Sequence, residues 1–301
     1  MHGHAAPADF LALTKPRIVA LVVLTVAGGY VVATPAALAA SGVYAPPAPA
    51  VWLAVLFHTL LGTALVAGGT NALNQVAERD VDALMHRTRA RPLPAGRLTP
   101  AAATVFACAA AAAGLAELAA FVNRPTALLA AATLLSYVFV YTPLKRRTSL
   151  ATLVGAIPGA LPIVGGWAAA GGPLDVRAGV LFGLMFLWQI PHFLALAWIY
   201  RDDYARAGLK MLSVADDGGA ATFRQAALNA AALLPIGLLP FALGMAGAAY
   251  FAGALALSAA LFVLAVMAAR APSRRAARRL FLATLVYLPA ILSLMAANRG
   301  A

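Results

Sequence analysis

Windows of about 20 apolar residues, the length a helix needs to cross roughly 30 Å of hydrocarbon, recur along the chain near 16–37, 50–76, 100–121, 125–143, 149–170, 177–200, 225–246, 249–269 and 279–297. This pattern narrows the fold sharply, because backbone N–H and C=O groups in lipid must be satisfied within the spanning segment itself. Of the 301 residues, 63% are hydrophobic and only 11% charged, with mean hydropathy +0.86, which excludes an ordinary soluble domain. The expected fold is all-α, a polytopic membrane protein with nine transmembrane helices around a central cavity. It is read as a single domain over 1–301, with 1–14 as an N-terminal cytoplasmic tail.

The placement of Lys and Arg tests that count. Nineteen of the 22 lie at the N-terminus (Lys15, Arg17) or in alternate loops, from Arg79 to Arg97, Lys145 to Arg147, Arg201 to Arg224 and Arg270 to Arg279. Only Arg124, Arg177 and Arg299 fall on the other side, where the first loop, Thr34 to Ala50, is uncharged. Positive residues favour cytoplasmic loops, so the N-terminus is placed inside and the C-terminus outside. The first 14 residues lead directly into a span and show no cleavable signal, and the alanine-rich composition points to a bacterial inner membrane. A net charge of +12 would suit nucleic acid on a soluble basic face, but here the charge sits between apolar spans, so no nucleic-acid partner is expected. Cys108, the one cysteine, lies in an alanine-rich run and offers neither a disulfide nor a thiolate metal site.

Chemistry concentrates in the stretch NALNQVAERDVDALMHRTRARPLP, Asn71 to Pro94. Asn74, Glu78 and Asp82 recur every four residues and so share one helix face. Three of the chain's ten acids fall within five residues here, at the end of an apolar span, where acids are costly and usually functional. Stacked carboxylates suit Mg²⁺, which is commonly held by one or two carboxylates together with substrate phosphates. The arginines that follow, including Arg87 and Arg91, suit phosphate oxygens. The stretch reads as a metal–diphosphate clamp at the membrane surface. The competing reading is a solvated helix end with i,i+4 charge pairs.

The only other loop with clustered acids is YRDDYARAGLKMLSVADDGG, on the same side, so its helix end and the first are expected to open onto one cavity. In SYVFVYTPLKRR, Tyr137 and Tyr141 are i,i+4 neighbours. There Lys145 or Arg146 either adds to the clamp or is a positive-inside residue below an aromatic belt. Pro158, Pro162 and paired glycines in the fifth span permit kinks and close helix approach. In the sixth span Gln189 and His192 lie in hydrocarbon, and His192, Leu196, Tyr200 and Asp203 follow at helical spacing. His192 is then either a site residue or a hydrogen-bonded core histidine, while His58 stands mid-span without polar company on its own helix.

NQVAERDVDALMHRTRARPLPAGRL resembles the first signature of the UbiA superfamily of intramembrane prenyltransferases, in its protohaem IX farnesyltransferase (haem O synthase) branch. TKPRIVAL, YTPLKRR, WQIPHF and DDYARAGLKMLSV resemble that branch's other landmarks in the same order, so the resemblance covers roughly residues 8–295. It implies that Asn74, Glu78 and Asp82 hold Mg²⁺ and diphosphate, that Arg87 and Arg91 face the diphosphate, and that Asp202 and Asp203 form a second acidic site beside Tyr200. Glu78 stands where relatives often carry Asp, and the second loop lacks their two acids four apart. The reaction implied is transfer of farnesyl from farnesyl diphosphate to a vinyl group of haem B, with water adding to give haem O. His192 becomes the candidate haem contact. Membrane lipid and a candidate association with haem A synthase or oxidase assembly complete the implied partners. Two alternatives stay open. One is a related prenyltransferase with an aromatic acceptor, and the other is a secondary transporter, whose acids belong nearer the bilayer midplane.

Overall fold

Proline opens five of the helices, at Pro7, Pro16, Pro49, Pro100 and Pro125, where its missing N–H costs nothing and its fixed φ already suits a helix. Side-chain oxygens cap four helices, two of them among these five: Thr99 accepts from Ala102 N, Asn123 from Thr126 N, Asp175 from Arg177 N and Ser273 from Ala276 N. The computed structural model describes residues 6–33 and 48–298. Of the loop expected from Thr34 to Ala50, residues 34–47 lie outside the described residues, as do His2, His4 and Arg299.

The described elements are helical throughout. They are α1 (Pro7–Thr14), α2 (Pro16–Val32), α3 (Pro49–Ala77), α4 (Arg79–Leu84), α5 (Pro100–Phe121), α6 (Arg124–Leu144, π-helical over Ser136–Tyr141), α7 (Ala151–Ala169), α8 (Val176–Ile199), α9 (Arg201–Arg206), α10 (Leu212–Ala215), α11 (Ala220–Ala242), α12 (Ala248–Arg270) and α13 (Arg274–Ala297). Eight of these are long and apolar enough to cross a membrane, and α1 with α2, bent by 46°, makes a ninth. The expected bundle of nine spans is thus found, with three local differences. Residues 7–14, within the expected tail, form α1, pinned to α3 because Gln75 Nε2 donates to Leu13 O (2.7 Å) and Asn71 Nδ2 to Thr14 O (3.2 Å). Helix α11 starts at Ala220 rather than near 225, because the Asp216 carboxylate accepts from Gly219 N and Thr222 N. Helix α13 starts at Arg274, so the arginine run lies inside the helix, below its Ser273 cap.

Helices α7 and α8 are the most enclosed of the long spans, and α2, α6, α11 and α13 pack around them. The contact of α2 with α7 needs glycine at two places. A Cβ on Gly29 would lie 2.1 Å from Ile163 O, and one on Gly166 would lie 2.0 Å from Val26 O, so the two backbones touch. In lipid, where apolar side chains gain little by leaving tails for each other, such close approach supplies the packing energy. Trp167 and Tyr30 are fully enclosed beside this crossing. The neighbouring Gly165 has open space at its Cβ position. Gly166→Ala is therefore expected to destabilise the bundle by about 1–3 kcal/mol, the usual range for overpacking. Gly165→Ala should leave it unchanged, and thermal unfolding of both variants in detergent distinguishes the two.

Candidate active site

Asn74 and Glu78 come from the last turn of α3 and the break after it, and Asp82 from α4, so the four-residue ladder survives the change of helix. All three are enclosed, at 2%, 8% and 1% exposure, which rules out the solvated helix end. Each is met by a cation from a different part of the chain. Lys15 Nζ donates to Asn74 Oδ1 (3.1 Å), Lys145 Nζ pairs with Glu78 Oε1 (2.5 Å), and Arg91 Nη1 donates to Asp82 Oδ2 (2.7 Å). Asn74 Nδ2 donates to Thr142 Oγ1 (3.1 Å), which ties α3 to the end of α6. Burial works against the charge on Lys145, but the Glu78 carboxylate outweighs it and holds the ammonium above its usual pKa.

These groups surround a cavity of about 150 Å³. Lys15, Asn74, Glu78, Asp82, Arg87, Arg91 and Lys145 supply its polar and charged lining. Ile18, Val81, Met85, Leu209 and Met211, with Tyr137, Tyr141 and Tyr204, supply the apolar and aromatic lining. A larger and more open cleft of about 510 Å³ lies beside it, sharing Leu209 and Met211, but no acid lines it. Tyr137 and Tyr141 reach the cavity from the π-helical turn, and Tyr204 from α9. Pro143 cannot donate to the carbonyl four residues back, and Thr142 Oγ1 instead donates to Tyr137 O (2.9 Å). The Lys145 ammonium sits 4.7 Å above the Tyr141 ring.

Not every expected residue reaches this cavity. Arg146 does not join the ladder. It forms a two-pronged pair with the exposed Asp80 (2.7 and 2.9 Å), which holds that carboxyl below its usual pKa. The two acidic helix ends do meet, but not acid to acid. Asp202 is exposed, while Asp203 accepts from the amides of His86 (3.2 Å) and Arg87 (3.3 Å) and from Arg206 (2.7 Å). Burial would raise the Asp203 carboxyl, but these donors outweigh it and lower its pKa. Asp203 thus fastens the arginine loop to α9, and Tyr200 lies under the Arg87 guanidinium at 5.1 Å. The expected face joining His192 to Asp203 is broken, because α8 ends at Ile199 and a new helix starts at Arg201. His192 Nδ1 instead lies 2.8 Å from Thr284 Oγ1 of α13, with its ring among Trp188, Phe193 and Phe281.

From the sequence Lys15 is a positive-inside residue and part of the TKPRIVAL landmark, with no role in the clamp. Its signal there is a cation between Thr14 and Pro16, directly before an apolar span. The backbone at Lys15 has φ 53°, in the left-handed region, and this turns the chain between α1 and α2 so that the ammonium reaches Asn74. Among the described residues no cluster of three or more His, Cys, Asp or Glu could hold a metal by itself. The ladder supplies two carboxylates and an amide, which suits Mg²⁺ only in company with phosphate oxygens.

Residues 14–288 match the UbiA prenyltransferase family. A Solibacter usitatus (strain Ellin6076) protein named protoheme IX farnesyltransferase is 45% identical over 299 residues, covering 97% of this chain and 98% of its own. Among solved structures, that of a digeranylgeranylglyceryl phosphate synthase superposes with a TM-score of 0.77 at 14% identity, covering 97% of each chain. A UbiA homolog from Archaeoglobus fulgidus bound to GPP and Mg²⁺ gives 0.65 at 17% identity, over 95% of this chain and 99% of its own. At these identities the structural likeness is one of fold. With nearly the whole length matched, the chain belongs to the UbiA prenyltransferase family.

Proposed function

We propose that the chain is a Mg²⁺-dependent protohaem IX farnesyltransferase of a bacterial inner membrane, with its basic end and N-terminus in the cytoplasm. It joins farnesyl diphosphate to a vinyl group of haem B. The observation that carries this reading is the one cavity that enclosed Glu78 and Asp82 line together with Lys15, Lys145, Arg87 and Arg91 and with apolar and tyrosine side chains. Naming of the Solibacter relative and the bound GPP and Mg²⁺ of the Archaeoglobus homolog support it.

The charged lining takes the diphosphate and the apolar lining the first isoprene unit. Asn74, Glu78 and Asp82 would hold Mg²⁺ against the diphosphate, where the ion supplies neutralisation of the leaving group's charge. Arg87 and Arg91 hold the phosphate oxygens by planar, paired contacts. The Lys15 and Lys145 ammoniums exchange their bonds to Asn74 and Glu78 for bonds to the anion. As the farnesyl C1–O bond breaks, charge leaves with diphosphate and the allylic carbon becomes cationic. The faces of Tyr137, Tyr141 and Tyr204 stabilise that carbon and exclude bulk water. The haem vinyl carbon then bonds to C1, and water captures the resulting cation next to the porphyrin and loses a proton, giving the hydroxyethylfarnesyl group of haem O.

Asp203 acts in this scheme as a positioning residue for Arg87 rather than as a catalyst. His192 is assigned to the acceptor, with Nδ1 held by Thr284 and Nε2 left for the haem. The transporter alternative is not favoured, because both acids lie at one helix end and not at midplane.

Glu78→Gln and Asp82→Asn keep side-chain size but remove charge, and each is expected to lower turnover by about 10²-fold or more, as loss of a charge-stabilising group does. Haem O formation followed by mass spectrometry checks this, and near-normal activity at limiting Mg²⁺ would refute the clamp. Arg91→Lys should weaken farnesyl diphosphate binding much more than haem binding, as calorimetry with each ligand would show. His192→Ala should alter the absorption spectrum of bound haem while farnesyl diphosphate binding persists. Parallel loss of both ligands would instead mark His192 as a packing residue bound to Thr284.

A further inference from the structure

The His58 imidazole and the Glu117 carboxylate meet at 2.7 Å between α3 and α5, although neither has polar company on its own helix. The pair belongs to no part of the ionic cavity. His58 precedes Asn74 by 16 residues, about 24 Å along the helix at 1.5 Å per residue. It lies toward the end of the bundle remote from the clamp, since Glu117 is four residues from the end of α5 at Phe121. Side-chain exposures of 30% and 18% leave both half-buried, beside the exposed Phe57 and Phe121.

A carboxylate–imidazole pair in that place is costly and calls for a reason. Holding α3 to α5 is not one, because those helices already touch through glycine. A Cβ on Gly114 would lie 2.6 Å from Gly62 O, four residues from His58. The chemistry of the pair points elsewhere. The Glu117 carboxylate accepts at Nδ1, which fixes the ring and turns Nε2 away from it, and no partner for Nε2 is found among the described residues. This is how proteins prepare a histidine to ligate a metal. The surrounding rings suit a flat apolar ligand. Phe121 stacks on the imidazole at 4.7 Å and 15°, backing it, and the exposed Phe57 stands at 76° to it.

We propose that the outer face of α3 and α5 carries a second haem site, in which His58 Nε2 ligates the iron, Glu117 orients the imidazole, and Phe57 and Phe121 flank the porphyrin. This rests on haem being the acceptor. The site would hold haem in the far leaflet, apart from the reaction cavity.

The test is a titration of the full-length protein in nanodiscs with ferric haem, without farnesyl diphosphate, read by absorbance and electron paramagnetic resonance. Wild type should bind two equivalents with distinct spectra. His58→Ala should lose one of them, recover its signal on addition of free imidazole, and retain farnesyl transfer at saturating haem. Glu117→Gln should weaken that same equivalent by roughly 10-fold, the low end of what loss of an orienting partner costs a metal ligand. An unchanged stoichiometry and spectrum in His58→Ala would overturn the site. So would loss of both equivalents together with a lower melting temperature, which would make the pair a helix anchor. A wild type that binds two equivalents yet forms no prenylated haem would overturn the proposed activity while upholding this site.

Discussion

The cost of carrying charge at the edge of hydrocarbon governs how this molecule is put together. Two carboxylates and an amide lie almost fully enclosed at the end of α3 and in α4, and each is tolerable only because a cation or donor reaches it. Those partners come from the α1–α2 turn, from the residue after α6, and from the arginine loop. Compensating the ladder therefore draws four separate segments to one point. The same arrangement suits an anionic ligand. Lysines and arginines crowded together with only two carboxylates between them gain from any added negative charge, and a diphosphate supplies it.

Helix geometry around the cavity follows from a few backbone events. Lys15 in the left-handed region turns α1 away from α2, Pro143 forces the π-helical turn that presents Tyr137 and Tyr141, and α8 stops at Ile199 so that α9 can cross beneath the arginine loop. None of these is packing in the usual sense. The rigid reference they act against is the α2–α7–α8 core, where Gly29 and Gly166 let backbones touch and Trp167 is fully enclosed. An irregular rim on a tightly packed base is how a bundle can hold charged groups in register without burying them uselessly.

Two acids that look alike in sequence serve different purposes. Asp80 and Asp82 are two residues apart, yet a helix turns them about 200° from each other, so Asp80 faces solvent and Arg146 while Asp82 is enclosed against Arg91. Asp203 and Asp216 spend their oxygens on backbone amides, fastening one loop and capping α11. Acidity near the site is thus divided between ligand chemistry and loop construction.

Much of this was legible from the sequence, because hydrocarbon imposes rules that act locally. Span number and the Asn74, Glu78, Asp82 ladder depend on segment length and a period of 3.6, neither of which needs a distant partner. What only the tertiary structure decided are the contacts between segments far apart in the chain. Lys15 meets Asn74 across 59 residues, as His58 meets Glu117, and Arg146 turns to Asp80 rather than to the ladder beside it. His192 was carried toward Asp203 by counting turns, a count that fails once the helix ends at Ile199. The physical reason is the same in each case. Periodicity fixes which face of a helix a residue occupies, but what lies opposite that face is set by the crossing of other helices.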